Sequence, residues 1–395
     1  VTAAVASGTG GRAGALATVT DLLDLRPAPA GPIPGDRALL GVVAGRTGPR
    51  FLVPLDHPEA APEACLAYLG LRERRTRATR GALGLALRAH LGGLVLRERV
   101  TADAGDGSLL ALLGDLLADP GEEPGLAVAI GLSHADEVWK PTLQVFRPDG
   151  TPAAFVKVGV GPVAERLVAT EVATLRAWGD HPDPRLVVPG LAAAATWRGH
   201  PLAVIEPLPP DARRLPPGSA SPWPVRDLDG PPVEGTVAEA GWWTGRRAAC
   251  ADQAAVAEVL ATIEDRHGDR AWPWARWHGD WVPWNLARCH RGLVAWDWEY
   301  SEPGAPVGLD EVHAAYQQAR VAEGRSVAGA LAAARAAASA TVGARGTTPD
   351  PGAARWLADA HVAMLVSRIA ELERLGGRPT VDHAHVLAAA RGALR

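Results

Sequence analysis

The sequence predicts an α+β chain. It has a mostly antiparallel sheet with one helix over residues 121–208, a mainly helical part over 209–395, and an additional N-terminal α/β unit over 1–120. Three observations lead there. Short apolar runs bounded by turn residues crowd between Leu126 and Leu208, the pattern of strands. Ala-rich stretches with helical spacing fill the last third: Val307–Val342, Asp350–Arg374 and Val381–Arg395. Asp119-Pro120-Gly121 is a strong breaker between the first unit and the rest.

In order along the chain, Leu39–Val43 and Phe51–Leu55 are runs of strand length, and Cys65–Leu71, Ala82–Leu96 and Leu109–Leu117 have helical spacing. No chemical motif falls in this unit, which reads as a cap or docking module. Leu126–Leu132, Thr142–Phe146 and Ala154–Val158 are the next strands, with a turn at Arg147-Pro148-Asp149-Gly150. A break at Gly161-Pro162 precedes a helix over Val163–Trp178, and Val187–Val188, Ala192–Trp197 and Pro201–Leu208 return to strand. A Pro- and Gly-rich loop over 209–235 leads to a helix over Ala248–Arg266.

Composition narrows the function classes. Hydrophobic residues make up 47% of the chain and the formal net charge is -4, so it is globular and lacks the basic footprint of a nucleic-acid binder. The densest basic stretch, Arg72–Arg80, reads as a solvated helix face. Cys65, Cys250 and Cys289 are far apart and outside any CxxC pair, which points away from a disulfide framework or zinc site and toward a reducing cytoplasm. The N-terminus lacks the layout of a secretory signal, and no uncharged apolar run is long enough to insert in a membrane. Lysine occurs only at Lys140 and Lys157, against an arginine-rich background. A lysine kept against that bias marks a place where a compact point charge is needed.

The informative segment is Trp277-His278-Gly279-Asp280-Trp281-Val282-Pro283-Trp284-Asn285, followed by Ala295-Trp296-Asp297-Trp298-Glu299-Tyr300. Phosphoryl transfer needs a carboxylate to orient the attacking hydroxyl and hard oxygen ligands for the metal ions that offset phosphate charge. HGD-x4-N puts an Asp and an Asn on one tight loop, and a strand after the turn at His290-Arg291-Gly292 presents a second Asp.

These residues resemble the HGD-x4-N and [I/V]DxE[YF] signatures of the aminoglycoside phosphotransferase and choline kinase superfamily, most strongly over 277–310 and more broadly over 125–345. Trp296 stands where that family has Ile or Val, and Leu309-Asp310 reverses the last two residues of its G-x-P-x-x-D-L segment. The resemblance implies a two-lobed protein-kinase-like fold, with a nucleotide-binding lobe over 121–208 and a catalytic, acceptor-binding lobe over 209–395. It implies Asp280 as catalytic base, Asn285 and Asp297 as Mg²⁺ ligands, His278 as support for the loop, Glu299 as an accessory acid and Asp310 as a structural tie. It also implies ATP or GTP as phosphate donor.

A nucleotide lobe needs a strand lysine and a helix glutamate to hold it. Lys157 in Ala153–Val158 and Glu171, 14 residues on, suit those places, with Glu165 as the competing partner. Ser133 in Ile130–Asp136 is the candidate for a reduced phosphate-covering loop. Ala203–Leu208, with Glu206 and Leu208, would be the linker whose backbone meets the base.

The acceptor expected is a small hydroxylated, carbohydrate-like molecule such as a sugar, amino sugar or aminocyclitol, with choline-like alcohols second. Seven tryptophans between Trp272 and Trp298 could supply an aromatic face, Trp281 and Trp284 foremost, although core packing accounts for most of them. Asp227, Asp229, Glu302 and Glu311 could meet an amino group. A protein kinase fits poorly, because Trp298-Glu299 replaces Phe-Gly after Asp297. A non-catalytic nucleotide- or ligand-binding protein is the alternative.

Overall fold

The run Ala127-Val128-Ala129-Ile130 is apolar at every position, so both faces of the strand it forms must be covered. The computed structural model describes residues 12–45, 48–118, 125–132, 138–180, 186–215, 231–344, 350–377 and 381–394. It divides the chain into two units: 1–172 with 189–214 and 288–292, and 173–188 with 215–287 and 293–395.

In the first unit that strand, Ala127–Gly131, lies inside a nine-stranded sheet. The order is Arg26–Pro27, Arg99–Asp103, Arg37–Gly45, Gly48–Pro54, Ala127–Gly131, Thr142–Phe146, Pro152–Val158, His200–Ile205 and Leu191–Trp197. Every pairing in it is antiparallel. Strand alternation sends Val128 and Ile130 to one face, where Leu16, Val19, Leu109 and Leu113 cover them. It sends Ala127 and Ala129 to the other face, among Phe51, Ala60, Ala64, Cys65 and Leu87.

The expected boundary at 120/121 therefore falls inside one sheet and one core. Gly48–Pro54 pairs directly with Ala127–Gly131, and helices from the first 118 residues supply the cover that the apolar strand requires. The helix Leu109–Leu117 ends just before that sequence breaker, which itself lies outside the described residues, and the sheet continues beyond it at Ala127–Gly131. Smaller shifts have local causes. The helix expected over Cys65–Leu71 ends at Leu66, and a 3-10 turn at Leu69–Leu71 follows after Tyr68 takes a left-handed φ of 58°.

The second unit is mainly helical. Ala254–His267, Leu309–Gln317, Val327–Gly343, Pro351–Arg374 and Val381–Leu394 enclose a core in which Trp243, Trp356, Leu357 and Met364 are wholly buried. The single helix expected over Val307–Val342 is two. Gly324 takes φ +68°, and the Ser326 side chain caps the second helix by accepting from the Gly329 amide at 3.2 Å. Pro351–Arg374 starts the same way, with Asp350 accepting from Gly352 at 2.8 Å and proline at the first helical position. A three-stranded antiparallel sheet, Val233–Thr236, Ala271–Trp277 and Glu302–Pro306, delivers the chain at Trp277 into the HGD segment. Among the described residues no helix is long and apolar enough to cross a membrane.

Candidate active site

In the first unit the strand Pro152–Val158 carries Lys157 and the helix Pro162–Asp180 carries Glu171. Lys157 Nζ donates to Glu171 Oε1 at 2.8 Å and Oε2 at 2.6 Å. Lysine is 7% exposed and glutamate 1%, so this is a buried ion pair. Between the two sequence candidates, Glu171 is the partner, while Glu165 lies 3.9 Å from His200. Lys140, read as ordinary surface, donates to the Val138 carbonyl.

The linker segment is largely engaged. The Glu206 amide donates to the Gly190 carbonyl at 2.8 Å, and the Glu206 carboxylate accepts from the Gly190 amide at 3.1 Å. Leu208 is buried, with its amide beside the Tyr68 hydroxyl. Ser133 lies outside the described residues, as do Asp227 and Asp229.

In the second unit the HGD segment is held from four sides. Buried Asp310 accepts from the amides of His278 at 2.8 Å and Gly279 at 3.0 Å. Arg368 on the helix Pro351–Arg374 donates to the Gly279 carbonyl at 2.9 Å and lies over the Tyr300 ring. The wholly buried His278 accepts from the Asp280 amide at Nδ1, so its proton sits on Nε2 and goes to the Trp296 carbonyl at 3.0 Å. Gly279 has φ +84°, and a Cβ there would lie 2.2 Å from the Tyr300 carbonyl oxygen, so only glycine fits.

Asp280 projects from this frame. Its Oδ2 accepts from Asn285 Nδ2 at 2.8 Å, and the same amide reaches the Asp280 carbonyl at 3.1 Å. Burial pushes the Asp280 carboxyl up to about 7; the Arg368 charge opposes this, while Asp297 and Glu299 add to it. Asp297 sits at φ 63°, a left-handed conformation that non-glycine residues hold mostly where surroundings impose it.

Asp297 and Glu299 are thus close enough to Asp280 for their charges to raise its carboxyl, and the Asn285 side-chain amide is oriented by its donation to Asp280. Carboxylate and amide oxygens are the hard ligands that a divalent cation takes, but among the described residues Asp280, Asp297 and Glu299 do not close into a metal-holding cluster.

Sequence reasoning missed three neighbours. His313 Nε2 lies 3.8 Å from Asp280 Oδ1, and His313 Nδ1 meets His361 Nε2 at 3.2 Å. Burial holds both imidazoles neutral, His313 well below its usual value and His361 at about 3, with the Arg368 charge adding to each. His313 had a legible signal, since it lies one helical turn after Asp310. Arg368 and His361 had none, being ordinary positions on a long helix.

The aromatic face is mostly core. Trp281 is wholly buried, with its ring 5.4 Å from that of His278, so it braces the loop and is not open to an acceptor. Trp284 is half-buried. Glu302 is paired with Arg246 at 2.8 Å.

No protein-family model matches the chain, and no curated protein does. Among solved structures, it is similar to a thermostable mutant of aminoglycoside phosphotransferase APH(4)-Ia in a ternary complex with AMP-PNP and hygromycin B. That likeness is 13% identical over 73% of this chain and 98% of that one, with a TM-score of 0.45. It is similar also to amicoumacin kinase hAmiN in complex with AMP-PNP, Ca²⁺ and Ami, 12% identical over 73% and 93%, with a TM-score of 0.42. Likenesses at this level do not say what this chain binds or does.

Proposed function

We propose that the chain is a small-molecule kinase of the aminoglycoside phosphotransferase and choline kinase type. It would move the γ-phosphoryl group of ATP or GTP onto a hydroxyl of a sugar, amino sugar, aminocyclitol or related alcohol. The observation that carries this reading is the HGD segment, where a half-buried carboxylate is aimed by Asn285 on a loop that Asp310, Arg368 and His278 hold rigid. Such pre-positioning is most of what a protein contributes to phosphoryl transfer.

Asp280 orients the acceptor hydroxyl and takes its proton as the oxygen attacks. A carboxyl raised to about 7 is a better proton acceptor at neutral pH than an ordinary aspartate. Lys157, fixed by Glu171, holds nucleotide phosphate. Asn285 and Asp297 would hold Mg²⁺, which when bound offsets the negative charge of the phosphates. The hydroxylated acceptor is argued from the need for a nucleophile at Asp280 and from the family resemblance.

Purified chain with Mg²⁺ and ATP or GTP should release ADP or GDP only when a suitable acceptor from a panel of sugars, amino sugars, aminocyclitols and choline is present. Asp280→Asn should abolish that release. Nucleotide binding with no release on any acceptor would favour the non-catalytic alternative, and no binding at all would remove the kinase reading.

A further inference from the structure

Antiparallel partners share a face, so the sheet register defines the surface on which Lys157 stands. Thr142 pairs with Lys157 and Gln144 with Phe155, while Phe155 pairs on its other side with Ile205. Phe155 is thus on the lysine's face, one step along the same strand and beside the residue that opens the 206–208 linker. A base reaching the linker from phosphates at Lys157 would pass over Phe155.

That place is filled. Tyr68 packs its ring on Phe155, with centroids 5.5 Å apart. Its hydroxyl is buried beside the Leu208 amide without making a hydrogen bond of good geometry. The turn it begins continues along the chain beyond the linker: a Cβ on Gly70 would lie 2.7 Å from the Ala212 carbonyl oxygen. Glu73 then pairs with Arg214 at 3.2 Å. The turn is held under backbone strain, because Tyr68 has φ 58°, a region bulky residues rarely adopt.

The same segment also brings unpaired positive charge to this face. Arg80 lies over the Phe51 ring at 4.2 Å, and Phe51 pairs with Gly131 at the end of the strand beside Thr142–Phe146. Arg72 Nε and Arg80 Nη1 are buried without a hydrogen-bond partner, and no carboxylate among the described residues pairs with either side chain. Cations left without acids on the lysine's face suit a polyanionic ligand.

We propose that the Tyr68–Leu71 turn is a plug built into the nucleotide site: it occupies the base position between Phe155 and the 206–208 linker, and a nucleotide binds only when the turn is displaced. The proposal rests on reading 206–208 as the base-binding linker. It gives the N-terminal residues a regulatory role in place of simple docking.

Tyr68→Gly is the informative variant, because glycine accepts φ 58° without strain and removes the ring. Mg·ATP and Mg·GTP are titrated into the wild-type chain, Tyr68→Gly, and Tyr68→Gly with Lys157→Ala. Amide hydrogen exchange over residues 66–73 is followed in the wild type with and without nucleotide. The plug predicts at least tenfold tighter binding in Tyr68→Gly, loss of that gain when Lys157 is also replaced, and faster exchange over 66–73 when nucleotide is added.

Equal affinity with unchanged exchange would overturn the plug and leave the kinase reading standing. Weaker binding in Tyr68→Gly would also overturn it, by showing that the ring supports the base. No binding to any of the three would overturn the kinase reading and the plug with it. If Tyr68→Gly fails to fold, the wild-type exchange decides: unchanged or slower exchange over 66–73 on adding nucleotide overturns the plug.

Discussion

Replacing Glu171 by leucine strands the Lys157 ammonium in the core of the first unit. The pair is bidentate at 2.6 and 2.8 Å and almost fully buried, so solvent cannot take over the role of the lost carboxylate. Breaking a buried pair from one side costs about 3–5 kcal/mol. In a unit of this size that lowers the melting midpoint by about 6–20 °C, at about 2–4 °C per kcal/mol. Replacing both partners, Lys157→Met with Glu171→Leu, removes the stranded charge and should recover most of the loss. The assay is a double-mutant cycle by thermal and urea unfolding, with nucleotide affinity measured in parallel. Both single variants and the double variant should lose Mg·nucleotide binding, although only the singles lose stability. A Glu171→Leu chain that melts within about 2 °C of wild type would refute the buried-pair reasoning.

Other outcomes follow from the same geometry. Gly279→Ala should cut any turnover about a hundredfold, because the added Cβ would collide with the Tyr300 carbonyl and move Asp280; steady-state rates check it. Asp310→Ala leaves the His278 and Gly279 amides without their acceptor and should destabilise the chain by about 1–3 kcal/mol, read by urea unfolding. His361 titrates near 6.5 when unfolded and about 3 when folded, so between those values the unfolded chain binds the extra proton. Stability should therefore fall as pH drops from 6.5 toward 3, by at most about 1.4 kcal/mol per pH unit for this group. His361→Gln should flatten that slope in a pH series of denaturant melts.

Local features of the sequence were legible because local chemistry sets them. The HGD-x4-N spacing puts Asn285 within reach of Asp280 through one tight loop, and a strand lysine followed by a helix glutamate brings Lys157 to Glu171. Glu171, not Glu165, takes the lysine because the helix turns its buried side to the strand at Glu171, which is 1% exposed. Pairing between distant segments was not legible. Nothing near Phe51 announces that Gly48–Pro54 will lie against Ala127–Gly131, across more than 70 residues. The breaker at 119–121 suggested a boundary that the apolar strand beyond it does not allow. Tyr68, a single aromatic in an otherwise ordinary helical stretch, gave no sign that it would lie beside Leu208. Trp281 looked available because it sits within the loop, but a loop this tightly braced uses its aromatic as filler.

Detection of the phosphorylated product tests the central claim most directly. An acceptor panel is incubated with the wild-type chain, Mg²⁺ and ATP or GTP, with Asp280→Asn in parallel, and each acceptor is weighed by mass spectrometry. The account predicts that at least one sugar-like or amino-alcohol acceptor gains the mass of one phosphoryl group with wild type and none does with Asp280→Asn. An acceptor phosphorylated equally well by Asp280→Asn would contradict it, because the group placed at the reacting hydroxyl would then be dispensable.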